Sequence, residues 1–212
     1  MAHDFTVMLA VHDAVRRDLI RLVSLVGGTA PISDTRASAL ARQWDLIVGR
    51  VREHERIEDE VLWPAVRVAV PADEQDPLDR MVAAHQQLTA VLQAASDRLA
   101  AGDLAHGRGA RARLADSIEA AAVLADAQFA FEERVVLPLL DRFLPGQDWA
   151  DFVAASHAPT GPLADPVVLP WLLEGSRPQR VATVLALLGP ENRRAYEQDW
   201  KPAYRVRVAQ VW

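Results

Sequence analysis

Four stretches of the chain repeat apolar side chains at alternating steps of three and four residues, the period of one face of an α-helix. The first runs Phe5, Met8, Leu9, His12, Val15, Leu19, Leu22, Val26, and the second Leu40, Trp44, Ile47, Val51, His54, Glu58, Val61, Ala65. The third runs Leu78, Met81, His85, Leu88, Leu92, Leu99, and the fourth Leu114, Ile118, Ala121, Ala125, Gln128, Glu132, Val135, Leu139. Each stripe predicts a buried seam, and four such helices joined by short connections predict an all-α antiparallel four-helix bundle. The connections carry the expected punctuation. Gly27-Gly28 ahead of Pro31 ends the first helix, and Ser33-Asp34 caps the second. Pro71 to Gln75 and Ala101 to Gly109 mark the other two connections, and no proline falls between Pro77 and Pro138.

From about residue 146 the pattern changes. Prolines crowd together, and Trp149, Trp171, Trp200 and Trp212 are spread through the segment. The expected organisation is a bundle over residues 1–145 and a Pro- and Trp-rich helical extension over 146–212, packed against it. Tyr204, Val206 and Val208 alternate with arginines as a strand would, but Pro202 suits the first turn of a helix, which is the preferred reading.

Composition narrows the function. The 212 residues are half hydrophobic and carry a net charge of −6, so there is no basic field for nucleic acid or an anionic membrane. The absence of cysteine excludes zinc ribbons, iron–sulfur clusters and thiol chemistry, so any metal must be held by His, Asp, Glu or amides. No basic run precedes an apolar stretch at the N-terminus, and no run of about 18 apolar residues occurs. A soluble, cytoplasmic protein is expected.

The polar members of the seams carry the chemistry. His12, His54 with Glu58, His85, and Gln128 with Glu132 lie at seam positions of the four helices, and each i, i+4 pair shares one face. At about 1.5 Å per residue, antiparallel helices bring these positions close to one layer. Two buried carboxylates would cost several kcal/mol each unless paired or bound to cations. Imidazoles and carboxylates converging from facing helices suit iron, manganese or zinc, and two carboxylates can each bridge two ions.

The motifs His12, His54-Glu-Arg-Ile-Glu58, His85 and Gln128-Phe-Ala-Phe-Glu132 resemble those of hemerythrin-like HHE cation-binding domains. The flanks agree: in Glu58-Asp-Glu-Val-Leu-Trp-Pro64 and Glu132-Glu-Arg-Val-Val-Leu-Pro138 a proline follows each glutamate by six residues. The resemblance covers about residues 3 to 144 and implies a non-haem iron site of one or two ions, with manganese or zinc as alternatives. It implies His12 and His54 on one ion, His85 and residue 128 on the other, and Glu58 and Glu132 bridging. The family's fourth histidine is Gln128 here, so an amide oxygen stands where an imidazole is expected and the second ion should be the weaker one.

The resemblance further implies handling of dioxygen, peroxide or nitric oxide, including iron-dependent peroxidase-like activity. The alternative is a metal-poor scaffold or sensor acting through partner or homodimer contacts of the tail. His3 is out of phase with His12, and His106 lies in a Gly-flanked loop, so neither should reach the site. His157 is a substitute ligand only if its segment folds back. Arg52, Glu53, Glu55 and Arg56 are expected on solvated helix surface, with Asp59 and Glu133 at the surface or behind the ligands.

Overall fold

The computed structural model describes residues 3–156 and 163–212; His157 lies outside them. Four long helices form the bundle: α1 (Thr6–Gly27), α2 (Asp34–Ile57) continued by α3 (Trp63–Ala69), α4 (Asp76–Ala100), and α5 (Arg108–Phe131) continued by α6 (Leu137–Phe143). In space α1 neighbours α2 and α5, and α4 neighbours the same two, which closes a ring. The expected all-α bundle is what forms. Ala110, Ala115, Ala121 and Ala125 make up half of the buried face of α5, and their small size lets α1 and α4 pack closely against it.

Local chemistry sets the ends. Ser33 accepts the Arg36 N–H and caps α2. Asp76 and Asp79 sit in the first turn of α4 beside Pro77, which suits both the helix dipole and the missing N–H. The α4–α5 connection turns at Gly102, whose φ of 83° is a left-handed conformation that glycine adopts without strain. At the end of α1, the Arg111 guanidinium donates to the carbonyls of Leu25, Val26, Gly28 and Ala30, satisfying a terminus that the backbone alone would leave open.

Two helices carry a wide turn. Residues Glu58–Leu62 and Glu132–Val136 are π-helical, with the Trp63 N–H on the Glu58 carbonyl and the Leu137 N–H on that of Glu132. In each case a proline, Pro64 or Pro138, comes two residues after the turn. Its ring would clash with the carbonyl four residues back in a regular helix, and the wider turn relieves that contact. The extra residue shifts the seam by one position. Val61 and Ala65 were expected inside, but Leu62, Trp63 and Val66 are buried instead. Likewise Val136 and Leu140 are buried, while Val135 is exposed.

Beyond the bundle come α7 (Gly146–Ser156), α8 (Val168–Leu173), α9 (Pro178–Ala186), α10 (Pro190–Ala195) and α11 (Lys201–Val208). The segment around Tyr204 is helical, as Pro202 suggested, and it follows a third π turn, Tyr196–Trp200. Helix α7 lies on α2 and its π turn, α8 and α9 on α1, and α11 on α8. A buried polar knot fastens α8 down. Asp18 is fully buried and accepts hydrogen bonds from Gln43 (2.6 Å), Trp171 Nε1 (2.9 Å) and Arg17 (2.8 Å). Arg21 and Tyr204 both reach Glu174, just past α8, at 2.8 and 2.9 Å.

Candidate metal centre

The apolar interior falls into two clusters. One includes Val15, Val51, Leu88 and Ala125; the other includes Met8, Ile57, Leu62, Met81 and Val136. Between these positions along the helices lie His12, His54, Glu58, His85, Gln128 and Glu132. The polar layer expected across the bundle therefore interrupts the core. All but His54 are buried, and His54 is nearly so.

The contacts run continuously through the layer. His12 Nε2 lies 3.1 Å from His54 Nε2 and 3.3 Å from Glu132 Oε2. His54 Nε2 is 3.1 Å from Glu58 Oε1, and His85 Nε2 is 3.5 Å from Glu58 Oε2. One donor atom each from His12, His54 and Glu132 fall within 4.8 Å of one another. The outer ring nitrogens are anchored. His12 Nδ1 meets Glu133 at 2.9 Å, and His85 Nδ1 meets Asp59 at 2.9 Å. Glu133 also accepts from Arg16 at 2.6 Å, and the His12 ring stacks on Phe129 at 4.1 Å. Carboxylates behind imidazoles fix ring orientation and tautomer, leaving Nε2 of both rings turned to the layer.

Several atoms of the layer have no partner. Both oxygens of Glu58, both of Glu132, His85 Nε2 and Gln128 Oε1 are buried with no hydrogen-bond partner. Nearby nitrogens come within ion-pair distance of the carboxylates but without hydrogen-bond alignment. Buried acceptors without donors are costly and rare, and six of them in one layer match what a cation would satisfy. The donor set of imidazole, carboxylate and amide oxygen fits a divalent first-row metal.

The electrostatics agree. Burial, with the neighbouring charge of Glu132, pushes the Glu58 carboxyl well above its usual range. Glu132 is itself held below that range: burial opposes its ionisation, but His12 outweighs it. Burial likewise opposes protonation of His12, yet Glu132 and Glu133 hold its pKa above the ordinary value. Burial and the proximity of His12 drop His54 to about 3, which keeps that imidazole neutral and free to donate a lone pair. A cation would allow both glutamates to ionise.

Gln128 is held from the far side. Its Nε2 donates to Glu55 Oε1 at 3.2 Å, and Thr89 donates to Glu55 Oε2 at 3.1 Å. Glu55 was expected on the surface, and that expectation is corrected: its side chain is buried between α2, α4 and α5, and burial raises its pKa to about 7. It lies three residues before Glu58, one turn away on nearly the same face, so the signal was present in the spacing. Arg52 and Arg56 are exposed as expected. His3 stays away from the layer, with its Nε2 3.1 Å from the Leu144 carbonyl, and His106 is exposed. Among the described residues no helix is long and apolar enough to cross a membrane.

No curated protein and no solved structure matches the chain. A family model does: the hemerythrin HHE cation-binding domain matches residues 3–140, which takes in every residue of the polar layer. With a helical bundle of the expected order and a buried His/Glu cluster between its helices, the chain belongs to the hemerythrin HHE cation-binding family.

Proposed function

We propose that this protein holds a non-haem dinuclear iron centre that handles dioxygen, peroxide or nitric oxide. The observation that carries the reading is the set of six unpartnered buried acceptors on Glu58, Glu132, His85 and Gln128, facing the imidazoles of His12 and His54. His12 and His54 would serve one ion, His85 and Gln128 Oε1 the other, with Glu58 and Glu132 shared between them. Iron supplies Lewis acidity and one-electron redox chemistry when bound. The chain does the rest. Asp59 and Glu133 orient His85 and His12, the apolar clusters on either side exclude water, and Glu55 orients Gln128. Few imidazoles and several oxygen donors favour the ferric state, which supports peroxide or nitric-oxide chemistry over reversible oxygen carriage. In this reading residues 1–145 form the metal bundle and 146–212 its cover.

The test is iron-dependent peroxide decomposition by the iron-loaded protein beside Glu58→Ala and Glu132→Ala. Activity and bound iron should fall together in both variants. Equal turnover by variants that carry no iron would refute the reading.

A further inference from the structure

A cavity of about 370 Å3 lies between the bundle and the helices that follow it, outside the polar layer but sharing His54 with it. The bundle contributes Val11 and Ile57, and the cover contributes Trp149, Phe152, Trp171 and Leu187. The cover residues all lie beyond residue 140, where the family match ends, so half of the cavity's lining comes from outside the matched region. Its size and apolar walls are those of small-molecule sites.

The polar wall residues narrow the occupant. Asp4 accepts the Thr6 N–H at 2.9 Å, Glu53 is paired with Arg56 at 3.0 Å, and Ser156 donates to the Phe152 carbonyl at 2.9 Å. His54 is engaged within the polar layer. Arg50 alone among them has no hydrogen bond or ion pair among the described residues, although after Arg56 its charge helps to hold the Glu53 carboxyl below the usual range, and it is partly buried. It sits one helical turn before His54 on α2, so both border the same space. Arg50 also borders an adjoining shallow depression lined by Arg42, Asp45, Asp165 and Arg207. A guanidinium with no hydrogen bond among the described residues, at the edge of an apolar chamber, is matched by a carboxylate on an apolar body.

We propose that this cavity binds an apolar monocarboxylic acid of medium-chain size, its carboxylate on Arg50 and its hydrocarbon body against the aromatic cover, next to His54. The ligand would occupy the approach to the metal layer from the α2 side, as a substrate or as an effector of the centre.

The experiment measures binding of decanoate and of decanol, its neutral counterpart, to the full chain by calorimetry, with Arg50→Met and Val153→Trp beside the unaltered protein. Decanoate should bind saturably and at least tenfold more tightly than decanol. Arg50→Met should remove that difference while leaving decanol binding unchanged. Val153→Trp, which fills the cavity from α7, should abolish both, with circular dichroism unchanged. Three results would overturn the proposal: no saturable binding of decanoate, equal affinity for acid and alcohol in the unaltered protein, or wild-type binding by Val153→Trp. Bound metal is measured separately on the same samples. A chain that binds decanoate but no metal refutes the functional reading and leaves this inference standing.

Discussion

Glu55→Gln in the metal-free protein isolates the buried carboxyl behind the site. In the folded chain burial raises the Glu55 pKa to about 7, against an ordinary value of 4.5. The sign follows from linkage: the folded state prefers the protonated acid, so its contribution to stability is intact below the unfolded pKa and lost as pH rises through the folded one. Ionisation therefore costs the fold about 1 kcal/mol at pH 5 and about 3 kcal/mol at pH 8. Glutamine can accept from Gln128 Nε2 through its amide oxygen and donate to the Thr89 hydroxyl through its NH2, and it does not titrate, so it removes that loss. Urea denaturation at both pH values should show the variant's advantage over the parent growing by about 2 kcal/mol from pH 5 to pH 8. In thermal unfolding this is about 4–8 °C for a chain of this size. A constant difference between the two proteins across that range would refute the claim that Glu55 is buried with a raised pKa.

Gln128→His, which restores an imidazole, should raise the affinity for the second ion, and competition titration with a chelator reads this directly; unchanged affinity would remove Gln128 from the ligand set. Ferrous iron added to the metal-free parent should bind in two unequal steps, because in the proposed site one half would offer two imidazoles and the other an imidazole and an amide. Two equal tight steps would contradict that asymmetry. Asp18→Ala leaves the buried Gln43 amide and Trp171 indole without their acceptor and should cost about 3 kcal/mol, seen as a fall in Tm of about 10 °C with a red shift in tryptophan emission. A drop below 2 °C would show that the knot does not hold α8 to the bundle.

The bundle was legible because its seams are regular and its helices carry ordinary stop signals. The polar layer was legible because six polar side chains fall at seam positions of four helices at nearly one level. The register beyond it was not. Helical period placed Val61, Ala65 and Val135 inward, whereas the π turns at Glu58 and Glu132 bury Leu62, Val66 and Val136. The sequence did hold the cause, since Pro64 and Pro138 each stand six residues after a glutamate and cannot follow a regular turn there. Glu55 was misjudged because a glutamate among charged neighbours reads as surface, although its spacing from Glu58 points it inward. The cavity could not be read from the chain at all. Its walls join residues as far apart as Asp4 and Leu187, and only the docking of α7, α8 and α9 brings them together.

Metal content per chain, by mass spectrometry on protein loaded with ferrous iron and freed of loosely held ions, bears most directly on the central claim. The account predicts about two irons, the second lost first under mild chelation, and a loss of both in the Glu58→Ala, Glu132→Ala double variant. A chain that takes up no iron, manganese or zinc while remaining folded would contradict it.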